Sequence, residues 1–354
     1  MAEVVRLMRR LRAKKDKTTI HRTFRDRFNP LDLYNDEELF ERYRFRRCTI
    51  FFIVGLIGDE LAHPTQRSHS LPPIIQVLIF LQFVATGAFH LLVAQSFCIS
   101  KATAGRCVRR VAELLCRLSS RFIAFPTGQR SHDVKRTFHA IAGFPNVLGC
   151  VDGTQIKIQT PKVNEADFVN RKGYHSLNVQ MVCDPNFIIT NCVANWPGSC
   201  HDARIFRESK LCDNLENGVH DGFLLGDSGY PCRRYLMTPY HNTGNIRHRD
   251  RYNYSLCRTR VLIEQTFGIL KRRFPCLSLG LRTNPTRACK YVVSCAILHN
   301  IRILKQDIVI NHMDELTVQG PDQQQQQFLR NDGFGIRDHI AQSYFSKKKK
   351  HNLN

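Results

Sequence analysis

The chain has 354 residues, 43% hydrophobic and 23% charged, a globular balance that excludes global disorder. This length suits one large domain or two moderate ones. The net charge of +22 favours a polyanionic partner, with nucleic acid the first candidate and an anionic membrane surface the second, over a charge that serves solubility alone.

The 14 cysteines include no CxxC pair, which argues against a zinc ribbon and a thioredoxin-like site. The start, MAEVVRLMRRLRAKKDK, is basic and lacks the apolar core of a secretory signal. We therefore predict reduced thiols in an intracellular protein, located in the nucleus and also in the cytoplasm.

Residues 1–44 predict a basic N-terminal arm leading into a helix; the arm either contacts phosphate, directs nuclear import or is a solvated tail. The long apolar run Leu71–Ala94 is interrupted by Gln76, Gln82 and His90. It therefore predicts a buried core helix and no membrane span.

Residues 45–140 predict a helical, helix-turn-helix-like DNA-binding domain. A short apolar helix, HLLVAQSF, precedes Ser100, whose side chain can cap the next helix. That second helix is apolar on one side and basic on the other, as in a recognition helix, although an ordinary amphipathic helix has the same pattern. The candidate DNA-binding residues on its basic side are Lys101, Arg106, Arg109 and Arg110.

Residues 141–305 predict an α/β domain with a mixed sheet. Three strands joined by tight turns, PNVLGCVDGTQIKI, HSLNVQMVCDP and FIITNCVANWP, form an antiparallel meander. A helix, a short strand in GFLLGDSGYP and further helices follow, an order that matches the ribonuclease H-like fold.

Residues 306–354 predict a low-complexity C-terminal tail. It contains the polyglutamine tract Gln323–Gln327, a possible small helix in FGIRDHIAQSYF and the basic run Lys347–Lys350. The basic run favours nuclear import slightly over a solvated tail.

Three carboxylates are the candidate catalytic residues. Asp152 in GCVDGT and Asp227 in LLGDSGYP each follow an apolar strand, so we place both at strand ends on one edge of the sheet. Glu264 lies on the apolar face of a periodic helix and should point towards the sheet. Converging carboxylates repel one another unless a cation binds them, and Mg²⁺ or Mn²⁺ suits oxygen ligands.

Asp202 in PGSCHDARIF is a fourth candidate. A first-turn aspartate favoured by the helix dipole explains it equally well. The preceding His201 is a weaker candidate metal ligand, since a lone histidine is more often a surface or hydrogen-bonded residue.

The blocks GCVDGTQI, GYHSLNVQMVCD, WPGSCHDARIF, LLGDSGYP and VLIEQTFGILKRRF occur in this order between residues 145 and 300. This series resembles the endonuclease domain of PIF/Harbinger-type DDE transposases and of nucleases derived from them. The resemblance implies that Asp152, Asp202, Asp227 and Glu264 are divalent-metal ligands. It leaves open whether Asp202 or Asp227 is the second catalytic aspartate, and the fold favours Asp227.

Two further basic groups are predicted to bind DNA, although a solvated basic face is the alternative for both. Lys271, Arg272 and Arg273 follow Glu264 by about two helical turns. Arg247, Arg249 and Arg251 stand beside Tyr252 and Tyr254 in a predicted basic-aromatic loop.

The functional hypothesis is a metal-dependent DNA endonuclease or transposase that cuts transposon ends and joins 3′ ends to target DNA. A DNA-binding adaptor with an inactive transposase-derived fold is the alternative, and a ribonuclease of the same fold is a third reading. Double-stranded DNA is the expected partner. The resemblance adds a Myb/SANT-like DNA-binding protein, and a homo-oligomer is expected because transposition joins two ends.

Overall fold

The structure is a computed structural model that describes residues 29–65, 70–307 and 332–346. The basic arm over residues 1–28, the polyglutamine tract and the run Lys347–Lys350 lie outside the described residues.

The described N-terminal part is helical, as predicted. Its helices are α1 (Pro30–Leu33), α2 (Asp36–Tyr43), α3 (Arg47–Leu61), α4 (Pro73–Thr86), α5 (His90–Ser96), α6 (Lys101–Arg117), α7 (Ser119–Phe122) and α8 (Gly128–Ala142). Local signals explain several boundaries. Asn35 and Glu38 form a capping box at the start of α2, and Gly87 ends α4 in the left-handed conformation. The fifteen-residue α8 ends where Gly143 adopts the left-handed conformation.

The apolar run Leu71–Ala94 is divided between two helices. Ten of the fourteen residues of α4 are buried, and Gln76 inside it donates hydrogen bonds to the carbonyl oxygens of Leu61 and Leu71. Within the described ranges, no helix combines the length and apolarity needed to span a bilayer.

The predicted capped helix after the short apolar helix is confirmed. The Ser100 hydroxyl accepts a hydrogen bond from the Thr103 amide at 3.1 Å, and four residues separate α5 from α6. The apolar side of α6, including Val108, Val111 and Leu115, is buried. The use of this helix pair as a DNA-binding helix-turn-helix stays a prediction.

The sheet has five strands: β1 (Val147–Lys157), β2 (Ser176–Cys183), β3 (Ile189–Pro197), β4 (Phe223–Leu225) and β5 (Leu236–Met237). Their spatial order is β3-β2-β1-β4-β5. β1, β2 and β3 form the predicted antiparallel meander, whereas β4 is parallel to β1 and β5 is parallel to β4. The mixed sheet is confirmed; the two-residue strand β5 was not predicted.

The remaining helices are α9 (Asp202–Arg207), α10 (Lys210–Glu216), α11 (Arg247–Arg273), α12 (Cys276–Leu279), α13 (Pro285–Leu304) and α14 (Phe334–Phe345). One face of the sheet contributes Cys150 and Met181 to a large core with Ile263 of α11. The other face contributes Val151 and Val182 to a smaller core with α9 and α10.

The large core runs through the whole described chain. It includes Leu39 of α2, Phe80 of α4, Ile263 of α11 and Phe345 of α14. The predicted helical and nuclease segments therefore share one interior, and α14 packs into it although the sequence assigned this region to a tail.

Candidate active site

The register between β1 and β4 brings Asp152 and Asp227 together. Cys150 is the parallel partner of Leu225, and each aspartate follows two residues later on its own chain. Asp152 continues along β1 on the face of Cys150, and Asp227 follows in the turn after β4, close enough for its charge to act on Asp152. Asp152 and Asp227 are therefore neighbours across β1 and β4, and their role as metal ligands stays a prediction.

The structure corrects one detail of the placement of Asp152. This residue lies in the middle of β1, paired with Met181 of β2, and not at the end of the strand. The short strand β4 ends at Leu225, so the neighbour of Asp152 on that side is the turn that holds Asp227. Beyond Leu225, β1 continues without β4 beside it, and this gap at the edge of β1 forms the site.

Helix α11 places Glu264 at the same position through an arginine. Arg260, one turn earlier, donates from Nη1 to Oδ2 of Asp152 at 3.0 Å and from Nη2 to Oε1 of Glu264. The side chains of Arg260 and Asp152 are only 16% and 17% exposed, whereas that of Glu264 is 34% exposed. One guanidinium thus joins the strand carboxylate to the helix carboxylate.

Asp202 lies next to β1 on the side of β2, beside Gly153. Its Oδ1 accepts a hydrogen bond from Nδ2 of Asn178 on β2 at 2.7 Å, and its carboxylate lies against the backbone of Gly153. A Cβ on residue 153 would collide with this carboxylate, which explains the glycine in VDGT. Asp202 is also the first residue of α9, so the helix-start reading describes its backbone correctly.

Burial and neighbouring charges raise the pKa values of two of the carboxylates. Burial raises the pKa of Asp152 to about 7; Arg260 opposes this rise, while the charges of Asp227 and Asp202 add to it. The pKa of Asp202 is raised by burial, and the Asp227 charge adds to that rise, although the Asn178 hydrogen bond opposes it. The site therefore holds more negative charge than its one bridging arginine neutralises.

Tyr230 and Gln180 form a buried layer next to these aspartates. The Tyr230 hydroxyl donates to Oε1 of Gln180 at 3.4 Å, and burial with the nearby aspartate charges raises the Tyr230 pKa. The Gln180 Nε2 group is buried without a hydrogen-bond partner. A buried donor beside an anionic site is costly unless ligand binding gives it a partner.

The donor chemistry of this site suits a divalent cation. Its ligand candidates are all carboxylate oxygens, and neighbouring aspartate charges add to the burial that raises the pKa of Asp152 and of Asp202. As the side chains stand, however, no three His, Cys, Asp or Glu residues of the described chain are gathered closely enough to form a metal cluster. Arg260 occupies the position between Asp152 and Glu264 that a cation would share.

Sequence reasoning missed Arg260. Its signal was its spacing, because a residue four positions before Glu264 on a helix lies on the same face as Glu264. A cation there was the expected neighbour of a half-buried carboxylate. In a chain with 52 lysine and arginine residues, this spacing alone does not distinguish Arg260 from the other basic residues.

The four predicted DNA-binding residues on α6 differ in their exposure to solvent. Lys101 and Arg106 are exposed, whereas Arg109 and Arg110 are partly buried. The Arg110 guanidinium donates to the Glu60 carbonyl oxygen at the end of α3. Lys101 and Arg106 are therefore the residues of this group most open to a ligand.

The prediction of a basic-aromatic loop at residues 247–254 is wrong, because these residues are helical. Arg247, Arg249 and Arg251 form the first turns of α11, because the helical periodicity extends further towards the N-terminus than the sequence indicated. The Arg249 guanidinium lies over the Tyr240 ring at 5.0 Å, and Arg251 donates to the Phe345 carbonyl oxygen at 3.1 Å. Tyr252 is fully buried, so it contributes to the core and cannot stack on DNA.

The prediction that Arg273 binds DNA is also corrected. Arg273 is 7% exposed; it donates to the Arg44 carbonyl oxygen and lies over the Phe40 and Phe45 rings. Lys271, in contrast, points towards β1 and donates from Nζ to Oγ1 of Thr154 at 2.7 Å. Arg272 is exposed.

Comparison with known proteins first defines the class. Residues 151–300, which contain all four carboxylates, match the family model of the DDE superfamily endonuclease. No solved structure matches the chain.

Whole-chain relatives then define the family. The chain is 40% identical to the human protein named "Putative nuclease HARBI1" over 288 residues, which cover 80% of this chain and 82% of the human one. The Xenopus laevis protein of that name is 34% identical over 92% of this chain and 95% of its own length. An Arabidopsis thaliana relative, "Protein ALP1-like", is 25% identical over 77% of this chain and 72% of its own. The chain therefore belongs to the Harbinger transposase-derived nucleases of the PIF/Harbinger-type DDE family, as its motifs predicted.

Proposed function

We propose that this protein is a divalent-metal-dependent DNA endonuclease whose catalytic carboxylates are Asp152, Asp227 and Glu264. One observation carries the proposal. Strand β1, the turn after β4 and helix α11 place three carboxylates, distant in the chain, around the single guanidinium of Arg260. Carboxylates with perturbed pKa values gathered around one cation are typical of functional sites.

The strand order supports a ribonuclease H-like arrangement. Three antiparallel strands are followed by two parallel strands on the other side of β1, and the carboxylates lie on β1, after β4 and on a helix that covers the sheet. Asp227 is the second catalytic aspartate in this proposal, because it follows the strand that pairs with β1 and its charge acts on Asp152. Asp202 lies against Gly153 and acts as a further ligand or as a positioning residue.

Asp152, Asp227 and Glu264 would hold the metal ion, with Asp202 beside them. When bound, Mg²⁺ or Mn²⁺ activates the attacking water or 3′-hydroxyl and stabilises the leaving oxygen. Metal binding requires the ionised form of Asp152, so the raised pKa makes proton release part of metal binding.

The basic residues at the site have the geometry to orient a DNA phosphate. A cation that takes over Asp152 and Glu264 frees the Arg260 guanidinium, whose fork matches phosphate oxygens. Lys271 lies along β1 on the same side of the sheet. Lys101, Arg106 and Arg272 provide exposed charge for contacts further along the duplex.

The biological setting follows from the same proposal. Cutting at transposon ends and joining of 3′ ends to target DNA require two ends in one complex, which favours a homo-oligomer. A Myb/SANT-like DNA-binding protein is the proposed partner for end recognition. The net charge of +22 supports work on DNA in the nucleus, with a cytoplasmic pool before import.

The decisive experiment is cleavage of a labelled DNA duplex carrying transposon-end sequence, by wild type and Asp152→Asn, with Mg²⁺ or Mn²⁺. We expect cleavage to fall by at least about a thousandfold while DNA binding stays unchanged. Asp213→Asn on α10, an exposed aspartate outside the site, is the matched control and should cut like wild type. Equal cutting by Asp152→Asn would contradict the proposed role.

A DNA-binding adaptor with an inactive fold is the second candidate. The observation in its favour is Arg260, which already neutralises two of the carboxylates without a metal. Calorimetric titration with Mg²⁺ and Mn²⁺ distinguishes the two: heat that is lost in Asp152→Asn supports the enzyme, and no heat in wild type supports the adaptor. Cleavage of matched DNA and RNA duplexes tests the ribonuclease reading.

A further inference from the structure

A groove of about 760 Å³ lies where the helical half meets the end of β1. Its walls are the α4–α5 turn with Phe89, the end of β1 with Lys157, the loop residue Tyr174, and the segment after α12 with Arg282. None of the side chains assigned above to the carboxylate site lines this groove, so it is a separate feature of the molecule.

The groove is built by close backbone packing. The Leu281 amide donates to the Lys157 carbonyl oxygen at 2.8 Å, and the Gln159 amide donates to the Leu281 carbonyl oxygen at 3.0 Å. Gly87 has a φ of +63° and packs so closely on α12 that a side chain there would meet Cys276 and Leu279. These contacts join α4, α12 and β1 into one continuous floor.

The lining is cationic. Lys101, Lys157 and Arg282 are exposed at its rim, and no aspartate or glutamate is among the residues that line it. The neighbouring acidic residue Glu165 is already paired with the His175 ring at 3.0 Å. The groove therefore complements an anionic ligand.

The lining also offers aromatic faces that are paired with cations. The Arg282 guanidinium lies 4.0 Å from the centre of the Phe89 ring, and that ring side chain is still 57% exposed. The Lys157 ammonium group lies 6.0 Å from the centre of the Tyr174 ring. An exposed ring beside a cation can stack a base while the cation contacts its phosphate, which is the usual combination in single-strand binding sites.

The position of the groove connects it to the carboxylate site. Lys157 follows Asp152 by five residues on β1, a distance of about 16 Å along the strand. Lys271 contacts Thr154 and Gln155 between them, on the face of Asp152, whereas the odd spacing places the Lys157 side chain on the opposite face of β1. Duplex DNA, with a rise of about 3.4 Å per nucleotide, crosses this distance in roughly five nucleotides.

We propose that this groove binds unpaired nucleotides of a DNA strand, with Phe89 as the stacking platform and Lys157 and Arg282 as phosphate contacts. The bound nucleotides would belong to the DNA strand that is cut, and this part of the proposal rests on the proposed function. Binding of single-stranded DNA by itself does not depend on cleavage.

The test is fluorescence anisotropy of the full-length protein with a short labelled oligo(dT) strand and with a duplex of the same length. We expect Phe89→Leu to weaken single-strand binding by roughly 5- to 100-fold, the effect of losing one base–aromatic stack, and duplex binding by less than about twofold. Phe89→Tyr keeps the ring and should bind like wild type. Phe51→Leu on α3, an equally exposed ring outside the groove, is the matched control.

Unchanged oligo(dT) binding by Phe89→Leu would overturn the proposal, and so would an equal loss in the Phe51→Leu control. An acidic leucine-rich peptide that binds wild type but not Phe89→Leu, with no oligo(dT) binding, would instead assign the groove to a protein partner, since Leu279 on its rim is 59% exposed. Cleavage is assayed in parallel. Loss of cutting in Asp152→Asn with intact oligo(dT) binding supports both proposals, whereas absence of cutting in wild type counts against the endonuclease alone.

Discussion

Two arginines thirteen residues apart on α11 have opposite surroundings. Arg260 faces Asp152 and Glu264, and these charges raise its pKa despite burial. Arg273 is surrounded by the Phe40 and Phe45 rings, and burial lowers its pKa to about 9, with the Arg302 charge adding to the effect. The first arginine has too many anions beside it and the second too few.

This difference separates a binding site from a structural contact. At Arg260 the carboxylates outnumber the positive charges, so binding of a further cation would lower the electrostatic free energy of the site. At Arg273 a carbonyl oxygen and two ring faces already surround the guanidinium, and its burial leaves little room for a ligand. Basic residues in a +22 chain are therefore not interchangeable evidence for DNA contact.

The largest stability effect is expected at the buried arginine. Arg273→Ala removes the bond to the Arg44 carbonyl oxygen, two ring contacts and a buried side-chain volume, so the free energy of unfolding should fall by about 3 kcal/mol. Urea unfolding followed by circular dichroism measures it. Arg272→Ala, its exposed neighbour, is the control and should change the free energy by less than about 0.5 kcal/mol. Mg²⁺ should not restore Arg273→Ala; restoration would contradict a purely structural role.

A smaller and metal-sensitive effect is expected at the bridging arginine. Arg260→Gln leaves Asp152 and Glu264 without their cation, so unfolding in EDTA near neutral pH should require about 2 kcal/mol less than in wild type. Saturating Mg²⁺ should remove most of this difference, because the metal replaces the lost positive charge. A deficit that stays the same with and without Mg²⁺ would place Arg260 in the same structural class as Arg273.

The smallest effect is a pH dependence. The folded-state pKa of Asp152 is about 7, above the ordinary value of 3.8, so its protonated form stabilises the fold at low pH. That contribution is complete below the unfolded pKa and is lost as pH rises through about 7. Relative to Asp152→Asn, metal-free wild type should therefore lose up to about 2 kcal/mol of unfolding free energy between about pH 5 and about pH 7.

Urea unfolding of both proteins in EDTA at the two pH values measures this double difference. Asp213→Asn, compared with wild type in the same way, should show no such trend. A wild-type stability that rises relative to Asp152→Asn over this range would mean that Arg260 outweighs burial and repulsion at the site.

Much of the fold was accessible from the sequence, because its signals are local. The alternation in PNVLGCVDGTQIKI and HSLNVQMVCDP specified the antiparallel strands, and Ser100 specified the start of α6. The motif blocks around Asp152, Asp227 and Glu264 identified the family. These features depend on residues close together in the chain, where periodicity and capping are readable.

Only the tertiary structure decided which of the many basic residues serve the site. The chain pattern makes Arg260 and Arg273 look alike, since both are arginines on the same amphipathic helix. Their difference comes from partners more than a hundred residues away, Asp152 for the first and Arg44 for the second. The spacing of Arg260 and Glu264 is local, but the contact with Asp152 is not, because the field at a side chain depends on which distant groups the fold brings within a few ångströms.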